Sequence, residues 1–181
     1  MIHLRRAGPD DADTLAALST ATFRQAFGHL YQPQDLAAFL EEVFAAGRQR
    51  AQLSDPQQAV WLLQDARQAV GLVAAGPCQL PHPEVAPGDG ELRRLYLLAS
   101  HHGPCPGGKG HGGRLMQTAM DWLLRDGPRV LWLGVWSENH GAQRFYRRWG
   151  FEPVGEYLFP AGQARDREFI LRRPAAADRH G

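Results

Sequence analysis

Between the apolar run ELRRLYLLA and a segment with helical periodicity lies His101–Met116, HHGPCPGGKGHGGRLM, which places six glycines directly before a helix. It also holds the single lysine of the chain, Lys109; every other long basic side chain is arginine. Glycines let the backbone aim successive N–H groups at one point. A helix that follows adds its unpaired first-turn N–H groups and the positive end of its dipole. A glycine cluster alone fits a flexible surface loop equally well. The strand–loop–helix setting favours an anion cradle.

Two common anion cradles are not matched. The pattern GxxxxGK[ST] fails because Lys109 is followed by Gly110. A dinucleotide fingerprint requires a βαβ unit, and the strand before these glycines follows a hairpin instead. The anion therefore has to be identified from the rest of the chain.

The chain of 181 residues is 44% hydrophobic and 22% charged, with a formal net charge of +1. It is long enough for one sizeable core. No global field argues for nucleic acid or an anionic membrane as a partner. Cys78 and Cys105 are far apart and form no CxxC pair, which suits a reducing cytoplasm. The start, MIHLRRAGPDDAD, carries charges where a secretion signal needs an apolar segment. No apolar run approaches the ~20 residues that span a bilayer. A cytoplasmic location is expected.

Periodicity assigns the elements. IHLRRA reads as a first strand. The next helix has Pro9 and two aspartates at its start and a stripe of Leu15, Leu18, Thr22, Phe23 and Phe27. A second helix buries Leu36, Phe39, Leu40, Val43 and Phe44 and stops at Gly47, with a short helical turn over residues 48–53. AVWLLQ and AVGLVAAGPC form a hairpin across DARQ, and ELRRLYLLA is a further strand. After the glycines come the helix GGRLMQTAMDWLLRDG, the strand RVLWLGVW, the short helix NHGAQRFYRRWG, and two closing strands, FEPVGEYLFPAG and REFILRR. The order β-α-α-β-β-β-α-β-α-β-β predicts an α/β (α+β) fold, a mostly antiparallel, twisted mixed sheet of about seven strands flanked by helices. Residues 1–173 are expected to form a single domain, with 174–181 a flexible tail.

Two separated motifs carry a resemblance. ELRRLYLL…GKGHGGRLM resembles the acetyl-CoA signature of the GNAT N-acetyltransferases, whose loop reads roughly Q/R-x-x-G-x-G/A. ENHGAQRFYRRWGF resembles their second motif, with Asn139, Ala142, Phe145, Tyr146, Gly150 and Phe151 in register. The resemblance covers nearly the whole chain, because the element order is also that of the GNAT fold. TATFRQAF, LWLGVWSEN and the closing segment are similar to the bacterial spermine/spermidine N-acetyltransferase branch. About five residues within GPCPGG look inserted, so the usual Gln/Arg position falls on His102, or on Gly107 when counted back from Lys109.

The resemblance implies an acyltransferase that moves an acetyl group from acetyl-CoA to a primary amine, with a polyamine as the leading candidate and no metal. A peptide or protein α-amine acetyltransferase and a non-catalytic acetyl-CoA-binding regulatory protein are the alternatives. A small-molecule amine is the implied partner, with no nucleic acid or membrane partner, and a homodimer is compatible with family habit. The implied cofactor-binding residues are Leu97, Leu98, His102, Gly108, Lys109, Gly110, His111, Gly112, Gly113, Asn139, Phe145 and Tyr146. Lys109 to Gly113 would offer backbone N–H groups to the pyrophosphate. Leu97 and Leu98 would pair with the amide-bearing arm like an added strand, and a backbone N–H there would stabilise developing negative charge.

Tyr146 falls at the family position of the acid that protonates the leaving thiolate. A phenol with a pKa of about 10 is protonated at neutral pH and close to a thiol at about 8.5. Without the motif it would read as a ring packed beside Phe145. Glu91 opens the strand leading to the acetyl site and is the candidate base; it reads equally as a solvated strand-end carboxylate. Asn139 suits a helix cap as well as a cofactor contact. His101, His102, Cys105 and His111 have zinc-ligand chemistry, but their spacing matches no common zinc pattern. Trp132 and Trp136 alternate onto one strand face and are expected in the core. For a polyamine the groove should be acidic, and Glu41, Glu42, Glu84, Asp89 and Glu91 are the candidates.

Overall fold

The computed structural model describes residues 1–103, 110–161 and 164–175. Among these residues seven strands form one sheet in the order β1-β2-β3-β4-β5-β7-β6. These are β1 (Ile2–Arg6), β2 (Ala59–Asp65), β3 (Gln68–Pro77), β4 (Gly90–Leu97), β5 (Leu131–Trp136), β6 (Glu152–Ala161) and β7 (Ala164–Arg173). All neighbours are antiparallel except β4 and β5. The expected mixed, mostly antiparallel sheet is the one observed.

Strand alternation builds a three-layer molecule. In β2, Trp61 and Leu63 face one cluster, with Leu115, Met116 and Ala119 of α4 (Gly110–Leu123) and Tyr146 of α5 (His140–Arg148). Val60 and Leu62 face the other, with Leu15 and Leu18 of α1 (Ala12–Phe27). This is the period-two pattern of a strand covered on both faces. A third cluster, purely aromatic and aliphatic, joins Phe23 of α1 to Leu36, Phe39 and Leu40 of α2 (Pro33–Val43) and to Phe44. The second helix ends four residues earlier than the glycine suggested. Gly47 lies inside α3 (Ala46–Ser54), which fills the span expected to be only a short turn.

The parallel pair is the feature that makes a site. β4 and β5 pair only at Gly90↔Leu131 and Glu91↔Trp132. Beyond that point β5 continues against β7 through all six residues, while β4 continues against β3 alone. The two central strands thus splay apart. A register shift against Ala74/Ala75 gives β4 one extra residue, Arg93, between Leu92 and Arg94. A bulge of this kind bends a strand and increases its twist, which carries β4 away from β5.

At the closed end of the wedge, a Cβ on Gly90 would lie 2.9 Å from both Leu123 Cδ2 and Leu131 Cδ2. The strands can meet here only because the side chain is absent. Gly90→Ala is expected to destabilise the protein by about 1–3 kcal/mol, the usual cost of overpacking. At ~2–4 °C per kcal/mol for a chain of this size, thermal unfolding would show a clear fall in Tm; an unchanged Tm would mean the contact yields freely.

Candidate active site

Two adjoining cavities of about 270 Å³ each occupy the wedge. The first runs through the sheet, from Thr22 and Gln25 of α1 on one face to Ala142 and Tyr146 of α5 on the other, past Leu95 and Leu97 of β4. The second opens beside it, under the aromatic cluster of α1 and α2. Arg93, Arg94, Tyr96, Gly134, Trp136 and Glu168 line both, together with Phe27.

The ladder decides which backbone groups face the first cavity. Leu98 N–H donates to Val70 O at 2.9 Å. In an antiparallel pair the inward and outward groups alternate, so Leu98 turns its N–H into the sheet and Leu97 turns its own toward the splayed side. Of the two expected residues, Leu97 lines the cavity and Leu98 does not. His102, exposed at the mouth, is hydrogen-bonded through Nε2 to Leu97 O at 2.9 Å, and it lines the same cavity.

Gly110 opens α4 with φ +69, a conformation that costs any side chain. Gly113 is buried in the same turn. A Cβ on Gly112 would only touch Leu97 and Phe145 at 3.9 and 4.0 Å. His111 has a buried Nδ1 without a hydrogen-bond partner, and burial, with Arg114 and His101 nearby, lowers its pKa. His101 pairs with Asp65 at 3.1 Å. Gly107, Gly108 and Lys109 of the expected cradle, and Cys105, lie outside the described residues. Among those described, no group of three His, Cys, Asp or Glu side chains is placed to hold a metal ion.

The second motif has a direct structural account. Asn139 caps α5, its Oδ1 accepting from Ala142 N at 3.1 Å, and it also lines the first cavity. At the other end Gly150 takes φ +93. Its N–H donates to Arg147 O at 3.0 Å, and Phe151 N–H donates to Tyr146 O at 3.2 Å. This is the Schellman pattern, completed by the apolar contact between Phe151 and Tyr146, whose rings are 6.4 Å apart. The cap and the turn thereby fix Tyr146 in the wall. Phe145, on the same helix, packs between α4 and α5 rather than against the cavity. Burial raises the Tyr146 pKa above the ordinary phenol value, with Tyr96 and Glu168 adding to it. Burial likewise pushes Tyr96 to about 12.

Across the wedge, Trp136, Glu168 and Tyr157 form a cross-strand row on β5, β7 and β6. Glu168 Oε2 accepts from Tyr157 Oη at 2.9 Å. It has room because Gly134 lacks a side chain: a Cβ there would be 3.0 Å from Glu168 Oε2. Asp166 accepts from Tyr31 Oη. Glu91, 9% exposed, accepts from Gln79 N at 2.9 Å and faces the second cavity. Burial raises the pKa of both Glu91 and Glu168.

Of the five expected acidic residues, Glu91 alone lines the wedge. Glu41 sits between α1 and α2, Glu42 pairs with Arg48 at the surface, and Glu84 is exposed. Asp89 accepts from Ala86 N and Trp132 Nε1, a loop-bracing role. Trp132 is core as expected, but Trp136 lines both cavities. Glu168, Asp166 and Tyr157 escaped the sequence reading because they follow no motif; they reach the wedge only through the register of β5, β7 and β6.

Residues 23–151 match the profile described as the acetyltransferase (GNAT) family. The chain belongs to the acetyltransferase (GNAT) family. It is an acyltransferase, an acetyl-CoA-dependent N-acetyltransferase. The acetyltransferase is 31% identical over 169 residues to the uncharacterized N-acetyltransferase Rv2669 of Mycobacterium tuberculosis, covering 90% of this chain and 97% of that one. It is 28% identical over 172 residues to an uncharacterized N-acetyltransferase in the pepI 3′ region of Lactobacillus delbrueckii subsp. lactis, covering 95% and 96%. Its fold is that of the PaiA N-acetyltransferase from Thermoplasma acidophilum, a crystal structure in complex with coenzyme A, with a TM-score of 0.72 at 16% identity over 96% of this chain and 99% of that one. Among the acetyltransferase's described residues no helix is long and apolar enough to cross a membrane.

The raised carboxylates give a stability prediction. A group whose pKa rises on folding contributes stability below its unfolded value and loses it as pH rises through its folded value. Glu168→Gln keeps an acceptor for Tyr157 and never ionises. Relative to the wild type, its denaturation midpoint should therefore shift in its favour between about pH 5 and about pH 8, above the ordinary glutamate value. A gap independent of pH would show that Glu168 ionises freely in the fold.

Proposed function

We propose that the first cavity takes the acetyl-CoA arm, the second takes a primary amine, and the two meet between Tyr146 and Glu168. The observation that carries this is the splay of β4 from β5, which leaves the Leu95–Leu97 edge without a strand partner beside Tyr146, only Leu97 O being met by His102. An extended, amide-bearing chain can add to such an edge as a strand does. The N-terminus of α4, opened by Gly110 in a conformation suited to close backbone approach, fits a pyrophosphate. Lys109 and Gly108, next to Gly110 in sequence, are proposed to complete that cradle, with His111 and Gly113 in the first turn of α4. Asn139 and Phe145 hold α5 in place.

Acetyl-CoA, when bound, supplies an acetyl group activated as a thioester; as the nitrogen–carbonyl bond forms and the carbon–sulfur bond breaks, one proton is released per turnover. Leu97 N–H offers a fixed donor to developing negative charge, a kind of contact worth about 3–4 kcal/mol. Tyr146 holds its proton at Oη across the physiological range and donates it toward the leaving sulfur. Its raised pKa makes it a persistent donor rather than a strong acid.

The amine arrives protonated, about 3.4 pKa units above neutral, which corresponds to roughly 4.6 kcal/mol. Glu91 and Glu168 draw it in as an ammonium. Glu168, which lines both cavities, is the better placed of the two to take its proton, because Glu91 lines the second alone. Polyamines belong to the amines this acidic wall suits, and the resemblance to the spermine/spermidine branch supports testing them first.

The test is release of free thiol from acetyl-CoA with a panel of amines. Tyr146→Phe should lower kcat by about 10²-fold or more, the usual scale of general acid catalysis, and leave the Kd for CoA nearly unchanged. Unchanged kcat, with chemistry rate-limiting, would remove Tyr146 from the acid role. Gly110→Val adds a branched side chain at positive φ and should weaken CoA binding in calorimetric titration. Wild-type affinity in the folded variant would place the cradle elsewhere.

A further inference from the structure

Arg94 stands in the same wedge and is not accounted for by holding an ammonium. Its guanidinium donates from Nη1 to Ser19 Oγ at 2.8 Å and from Nη2 to Gln49 Oε1 and Gln52 Oε1 at 3.1 and 2.9 Å. All three partners are neutral. Among the described residues no carboxylate lies within 4.0 Å of it. Three of the five N–H groups of a guanidinium are used and two remain. Its central carbon also lies 5.4 Å from the Phe44 ring.

A charge taken out of water is normally paired within the chain. Tying α1 and α3 to β4 needs hydrogen bonds, not a charge. Burial lowers the Arg94 pKa only to about 10, so it remains a cation at neutral pH. The neighbouring Arg93 lines the same cavities but is anchored elsewhere, donating from Nη1 to Gln58 Oε1 at 2.9 Å and from Nη2 to Pro77 O at 2.7 Å, with its buried Nε left without a partner. Arg94 and Glu168 thus face the same shared space, one with donors to spare and the other an acceptor. Phe23, Phe27, Phe39 and Phe159 surround the rest.

Resting on the acetyl-transfer reading above, we propose that the acceptor is a zwitterionic amine of the α-amino-acid class, its carboxylate held by Arg94, its amine presented to Glu168, and an apolar or aromatic side chain packed among the phenylalanines. Spermidine carries no anion for Arg94 and becomes the contrasting acceptor.

The experiment compares L-phenylalanine with phenethylamine, which differs only by the carboxylate, and both with spermidine, by thiol release from acetyl-CoA. The wild type should favour phenylalanine by at least about tenfold in kcat/KM, as sites built to bond a polar group reject analogues without it. Arg94→Gln should abolish that preference. Equal or better use of phenethylamine or spermidine by the wild type overturns the proposal and leaves the acetyltransferase reading intact. Because Arg94→Gln removes three bonds and could unfold, a second measurement uses the wild type alone: 3-phenylpropionate, with the carboxylate and no amine, should bind in calorimetric titration and compete with the amine. No binding at about 10 mM, an affinity weaker than roughly −3 kcal/mol, overturns the proposal even when no amine is turned over, the outcome that would instead sink the acetyl-transfer reading.

Discussion

Everything at this site depends on a sheet that is paired at one end and parted at the other. Two residues of parallel pairing, Gly90 and Glu91 with Leu131 and Trp132, hold β4 and β5 together. The missing side chain of Gly90 lets them touch, and the extra residue at Arg93 turns β4 away. A continuous sheet would leave neither unpaired backbone nor room. Because the parting occurs in the middle of the sheet, the resulting cavity is walled by helices of both outer layers, α1 on one side and α5 on the other.

Burial then sets the charge states within it. Tyr96, Tyr146 and Tyr157 are all held protonated by loss of solvent, and neighbouring Glu168 strengthens the effect on each. Glu91 and Glu168 are pushed toward their neutral forms by the same loss of solvent, while Gln79 N–H and Tyr157 Oη oppose it. The result is a set of phenols that keep their protons more firmly, and carboxylates that take up a proton more readily, than their exposed counterparts would. The cost falls on stability, and capping, the Schellman turn at Gly150 and the three apolar clusters offset it.

Glycines serve two separate ends. Gly110 and Gly150 occupy positive φ at a helix start and a helix end. Gly90 and Gly134 are ordinary strand residues whose missing Cβ leaves space, for a neighbouring strand in one case and for the Glu168 carboxylate in the other. Only the first pair could be suspected from a turn or cap pattern.

What the sequence alone determined was the local order: helices from stripes such as Leu36, Phe39 and Leu40, strands from short apolar runs such as AVWLLQ, and the Asn139–Phe151 motif whose spacing is that of a capped, turn-terminated helix. These depend on neighbours within a few positions, and so they are legible. Tertiary structure alone decided which residues share the cavity. Glu168 meets Trp136 and Tyr157 by strand register, Arg94 meets Ser19, Gln49 and Gln52 across two helices, and Leu97 rather than Leu98 faces the wedge by ladder alternation. Glu41 and Glu42 had the right charge on an adjacent helix yet point elsewhere, because a helix position specifies a face and not what that face will meet.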